Sequence, residues 1–163
     1  VIVLYSETGT SDYQVLLTLP ISSSRQYFLS LAFFLSLAIK IPIVPFHLWL
    51  ISALVEAPTA GSVILAAVLL KLGSYGLIHY SIPLLPDGCH YFTPLISTMC
   101  VIAIIYSSVA CLAQLDIKKI IAYSSIGHMN TSVLGLFSDD YHGISAGVYF
   151  MISHGIISSA LFL

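Results

Sequence analysis

Charge is what this sequence has least of. Only 7% of its 163 residues are Asp, Glu, Lys or Arg, where a soluble domain carries about 25%, and a water-soluble globular fold is excluded. The net charge of −2 offers a nucleic acid or other polyanion nothing to hold. Cysteine is scarce too: Cys89, Cys100 and Cys111 form no C-x-x-C pair and sit in or beside apolar runs, so they read as small buried side chains, not as metal or redox ligands. No G-x-G-x-x-G loop is present, and the cysteines lack the spacing of an iron–sulfur cluster. A secretory signal is missing as well. The sequence starts at Val1 in apolar residues and stops at Leu163 inside another apolar run, which reads as a piece of something larger.

What is present is apolar length. Hydrophobic residues make up 58% of the chain, enough for an all-α polytopic membrane protein of roughly five spans at about 20 residues each. Residues 1–25 read as the end of a truncated span, Val1 to Tyr5, plus an extramembrane loop. That loop carries Glu7, Asp12 and Pro20, with a weak hairpin around Tyr13 to Thr18. Residues 26–163 read as the membrane domain, with helices over about 26–54, 59–82, 91–112, 120–137 and 144–163 and a loop from Pro83 to His90.

The first of these segments is too long for one straight crossing, and Pro42 and Pro45 lie inside it. A proline removes a backbone donor and clashes with the preceding turn, so the helix breaks near 42–45 and frees carbonyls around Ile39 to Val44. Freed backbone at membrane depth is tolerated only where it is buried in protein or lines a cavity. Lys40 stands just before the break, with His47 and Trp49 just after it. Crossing by crossing, Arg25, Asp87, Asp139 and Asp140 fall on one side and Glu56, Asp116, Lys118 and Lys119 on the other. The Lys118–Lys119 side reads as the cytoplasmic or matrix side.

Ionisable residues also recur at half depth. Lys40 lies about 14 residues into its segment, and Lys71 about 12 residues, or roughly 18 Å, past its helix start. His128 and His154 sit at similar depth, roughly 13 and 15 Å in. Polar neighbours follow at helical spacing: Tyr75 and His79 after Lys71, Ser124 before His128, Ser158 after His154. A buried lysine costs a few kcal/mol in a bilayer on even the gentlest scales and marks a path for charge. Ser and Thr beside a buried histidine also serve as helix glue, and Glu56 reads equally as an interfacial carboxylate.

These residues carry a specific resemblance. Lys40-Ile-Pro, Pro45-Phe-His47-Leu-Trp49-Leu, Val55-Glu56-Ala-Pro-Thr-Ala-Gly-Ser62, Leu70-Lys71-Leu-Gly-Ser-Tyr-Gly76, Asp116-Ile-Lys118-Lys119, His128-Met129 and Ser153-His154-Gly155 resemble the subunit 4 family of NADH dehydrogenase. This family supplies antiporter-like, proton-pumping membrane subunits of respiratory complex I. The resemblance implies a fourteen-helix inverted-repeat fold of which this chain supplies helices seven to eleven. It also implies a proton relay through Lys40, Lys71, His128 and His154, with His47, Glu56, Tyr75, His79, Ser124 and Ser158 in access or support and the break at Pro42 and Pro45.

The resemblance further implies that no cofactor or metal is bound here, with NADH, FMN, iron–sulfur clusters and ubiquinone elsewhere in the complex. Partners would be neighbouring antiporter-like subunits, the remainder of subunit 4 and lipids, in the mitochondrial inner membrane or, alternatively, a bacterial plasma membrane. Two departures stand out. Ile51, Ser52, Ala53 and Leu54 replace the usual Pro-Glu-Ala-His, and the glutamates of the family's fifth and twelfth helices are absent. A cation/proton antiporter subunit and a structural scaffold without transport are the competing readings.

Overall fold

The computed structural model of the chain describes residues 2–19 and 21–163. Val1 and Pro20, assigned above to the truncated span and the polar loop, lie outside the described residues. Among the described residues the chain is helical and contains no strand. In order the helices are α1 (Ile2–Thr8), α2 (Tyr13–Thr18), α3 (Ser23–Lys40), α4 (Leu48–Glu56), α5 (Thr59–Leu84), α6 (Pro86–Leu112), α7 (Ile117–Leu136) and α8 (Tyr141–Phe162). Three of them, α5, α6 and α8, are long and apolar enough on their own to cross a membrane. The α3–α4 pair is the broken helix.

α7 lies between α6 and α8 and also touches α4. Because protein surrounds much of it, α7 can bury Ser125, Asn130 and Ser132 along with Ile126, Met129 and Val133. Outward positions of α6 such as Ile102, Ile105 and Val109 are exposed and apolar. Close approach of α7 and α8 depends on glycine: a Cβ at Gly147 would stand 2.9 Å from the Ser132 carbonyl oxygen. In return the Ser132 hydroxyl donates to the Gly147 carbonyl at 2.8 Å, the small-residue packing that membrane helices favour. The main core gathers Phe34, Ala38, Ile41, Ile43, Leu50, Leu54, Leu70 and Leu77 around this pair.

Two local expectations fail, each for a visible reason. The stretch Tyr13–Thr18 is a helix and not a hairpin, because the Asp12 carboxylate accepts the Gln14 amide at 3.1 Å and caps it. Its Leu16 then packs on Leu84 and Leu85. The expected loop from Pro83 to His90 is mostly helical: α5 continues to Leu84 and α6 starts at Pro86, with Leu85 as the only joint. Proline suits the first turn of a helix, where its missing amide would have no partner. Gln26 completes the joint by accepting the Asp87 amide at 3.2 Å while its own amide donates to the Ile21 carbonyl.

The two ends of the bundle keep the charges apart as the crossings predict. At one end Ser23 donates to Asp87 and His90 meets Asp139 at 3.0 Å. At the other Lys118 donates to the Ala57 carbonyl at 3.0 Å and Lys119 pairs with Asp116 at 2.9 Å. Such exposed pairs add little stability. Their value is topological for three of the four, which tie a helix end to its neighbour, whereas Lys119–Asp116 is local to the start of α7.

Candidate functional site

The break after α3 follows from Pro42. With no amide there, the Ala38 carbonyl takes the Ile43 amide instead, at 3.0 Å. That shift leaves the Ile39 carbonyl without its usual donor. The indole N–H of Trp49 donates to it at 2.7 Å, stitching the two halves of the broken helix together. Asn130 on α7 closes the far side, its amide nitrogen 2.8 Å from the Ile126 carbonyl and 3.5 Å from that of Pro42. Lys40 is the last residue of α3. Its side chain is exposed and makes no hydrogen bond or ion pair among the described residues.

α5 reaches this break through Gly73. A Cβ there would meet Ile41 Cγ1 at 2.6 Å and the Lys40 Cβ at 3.2 Å, so only glycine lets the two backbones come this close. Lys71, on the same helix, is half-buried. Its Nζ donates to the Ala66 carbonyl at 2.6 Å and stands 2.8 Å from Nδ1 of His154 on α8. His154 is buried, and its ring centroid lies 5.6 Å from that of His128 on α7. Three of the four half-depth residues therefore converge, from three different helices. Lys40 adjoins them through Gly73 and is not in contact with His154.

Two cavities flank the centre. One of 490 Å³ is lined by Lys71, Tyr75, Gly155 and Ser159 among others. The second, of 380 Å³, lies between α6 and α7 and takes in Ser107, Ser124, His128 and Thr131. Ser124 thus shares the His128 cavity while donating to the Ile121 carbonyl at 2.8 Å. Ser158 is buried one turn past His154 and donates to the Gly155 carbonyl at 3.3 Å.

Of the remaining sequence candidates, Tyr75 lines the Lys71 cavity, while His79, His47 and Glu56 lie away from this centre. Tyr75 and His79 stack at 5.3 Å, and Tyr13 of α2 stacks on His79 at 4.7 Å. The Tyr13 hydroxyl donates to the His79 carbonyl. That carbonyl is the one Pro83, four residues on, cannot satisfy. His47 is buried edge-on against Tyr106 at 5.0 Å, and neither ring nitrogen has a protein partner among the described residues. Glu56 ends α4, exposed and without an ion pair among the described residues. Sequence reasoning did not find the Ala66 carbonyl, Asn130 or Tyr13. Only Tyr13 had a signal, the proline at position 83.

A proline-broken helix carrying a lysine, beside an unbroken helix whose own lysine meets a histidine of a third helix, with a histidine of a fourth next to that one, defines an antiporter-like membrane protein. The family described as NADH:quinone oxidoreductase/Mrp antiporter, transmembrane, matches residues 1–163, and the chain belongs to it. Among curated relatives it is 56% identical to NADH-ubiquinone oxidoreductase chain 4 of Prototheca wickerhamii, over 100% of this chain and 31% of that protein. The same-named proteins of Marchantia polymorpha and Arabidopsis thaliana are each 54% identical over 100% of this chain and 33% of their own length. The chain thus spans about a third of the length of the relatives it matches. Its fold superposes on a chain of respiratory complex I from Thermus thermophilus with bound NADH. There the TM-score is 0.91 and the identity 28%, covering 99% of this chain and 35% of the other.

Proposed function

We propose that this chain is part of the proton-translocating membrane arm of NADH:ubiquinone oxidoreductase, where it relays protons through Lys40, Lys71, His128 and His154. The observation that carries the reading is the 2.8 Å contact between Lys71 Nζ and His154 Nδ1 across two helices. A proton can cross that gap in one step, since heavy-atom separations of about 2.6–3.2 Å are what proton transfer needs. A cation on Lys40 repels a cation on Lys71, so loading the first favours passage of the proton from the second to His154. His128 and the cavity beside it carry the proton onward, with Ser124 and Ser158 as neighbouring hydroxyls. The Tyr75–His79 stack and buried His47 support access from the two ends, and Glu56 is held as a peripheral acid.

In this reading the redox groups, NADH, FMN, iron–sulfur clusters and ubiquinone, belong to other subunits. The chain works beside neighbouring antiporter-like subunits and the rest of its own protein in the mitochondrial inner membrane. The carboxylate partner of Lys40 comes from outside residues 1–163. In the complete subunit within its assembled complex, Lys71→Met should leave ubiquinone reduction in place and lower the protons moved per electron. An unchanged ratio in an assembled complex would refute the relay.

A further inference from the structure

Helix α5 changes its hydrogen-bond step over Leu65–Leu69, where a π turn replaces the α register. There the Leu70 amide bonds to the Leu65 carbonyl five residues back and not to Ala66 four back. Ala66 is fully buried, and its carbonyl is left without the amide an α-helix would provide. Buried carbonyls seldom go without a donor. Lys71 Nζ supplies one at 2.6 Å, and the same nitrogen lies 2.8 Å from His154 Nδ1. One backbone oxygen and one imidazole nitrogen therefore share the head of one lysine.

We propose that the Ala66 carbonyl is the anchor that aims Lys71 at His154 in both protonation states of the lysine, and that the π turn serves to free it. This rests on the relay reading above. As an ammonium, Lys71 puts one N–H on Ala66 O and another on the Nδ1 lone pair of a His154 whose ring proton sits on Nε2. Transfer breaks that second N–H bond and forms one at Nδ1, leaving neutral lysine and imidazolium, with no other reactant needed. The amine still has two hydrogens. One stays on Ala66 O, and the new lone pair faces the Nδ1–H.

The reverse transfer retraces the same line without any movement of the lysine head. Without the carbonyl, the four-carbon stem would be held toward His154 only by contacts that change when its charge leaves. Orientation fixed before reaction is worth much of a barrier. A π turn placed beside a functional residue is a recurrent device of membrane and soluble helices alike. Gly155 lets α8 lie against this turn, close to the Ala67 carbonyl and Lys71 Cε.

A π turn holds one residue more than the α register needs, so deleting Val68, which is exposed, should restore that register and leave both flanks in place. In the complete subunit of the assembled complex, the deletion should preserve ubiquinone reduction. It should lower the protons moved per electron to the value found for Lys71→Met. An assembled deletion variant with an unchanged ratio overturns the anchor. Where the deletion does not assemble, cryo-electron microscopy of the unaltered complex at acidic and at alkaline pH decides. Nζ within hydrogen-bond distance of Ala66 O at both supports the proposal, and Nζ swung away at either, or Leu70 N bonded to Ala66 O, refutes it. Unchanged pumping in Lys71→Met would refute the relay itself, whereas a loss there with none in the deletion refutes the anchor alone.

Discussion

At Gly73 two opposing effects can be weighed. Replacing a helical glycine with alanine gains up to about 1 kcal/mol of helix propensity. The added Cβ, however, would stand 2.6 Å from Cγ1 of Ile41, a fully buried side chain, and 3.2 Å from the Ile41 backbone nitrogen. Neither atom is the free end of a flexible chain, and overpacking a filled core costs about 1–3 kcal/mol. Repulsion should win. Gly73→Ala is expected to destabilise the α3–α5 contact by about 1–2 kcal/mol, seen as a lower temperature of subunit loss from the solubilised complex. Gly61→Ala is the control, since its Cβ would meet nothing closer than 3.5 Å. Equal thermal behaviour of the two variants would show that Gly73 is not a packing requirement.

Among the elements, α2 is the one a sequence pattern misjudges, and its cap explains why. Six residues are too few to hold a helix by propensity, so polar flanks and a short apolar run look like a hairpin. The Asp12 cap and the burial of Leu16 against Leu84 and Leu85 decide otherwise. Asp12→Ala should therefore weaken α2 by about 1 kcal/mol. Amide exchange over Tyr13 to Thr18 should then speed up about fivefold; unchanged exchange would assign the helix to its tertiary contacts alone. The broken helix was legible because Pro42 acts on its own backbone, and the acceptor that Trp49 fills at Ile39 lies inside the freed stretch. Lys71 and His154 were legible as half-depth polar residues, since depth follows from counting along apolar runs. The Ala66 carbonyl was not, because a freed carbonyl belongs to the backbone register and has no residue type to announce it. Asn130 was hidden likewise: its partners are carbonyls on two separate elements.

For the whole molecule, what matters is whether its charged groups act in series. The Lys40 stem meets α5 beside Gly73, while Lys71 meets His154 directly, and among the described residues no hydrogen bond or ion pair joins the two lysine heads. Coupling between them must then be electrostatic, and a single file of protons gives it a distinct signature. When residues act as one unit, removing a second member costs little beyond removing the first. Independent sites instead add their effects. Lys40→Met and Lys71→Met should each lower the protons moved per electron, and the double variant should match the worse single variant. The measurement is proton release against ubiquinone reduction in sealed vesicles, with assembly checked for all three variants. A double variant whose loss equals the sum of the two would place Lys40 and Lys71 on separate paths, and the break at Pro42 would then belong to a different route from the histidines of α7 and α8.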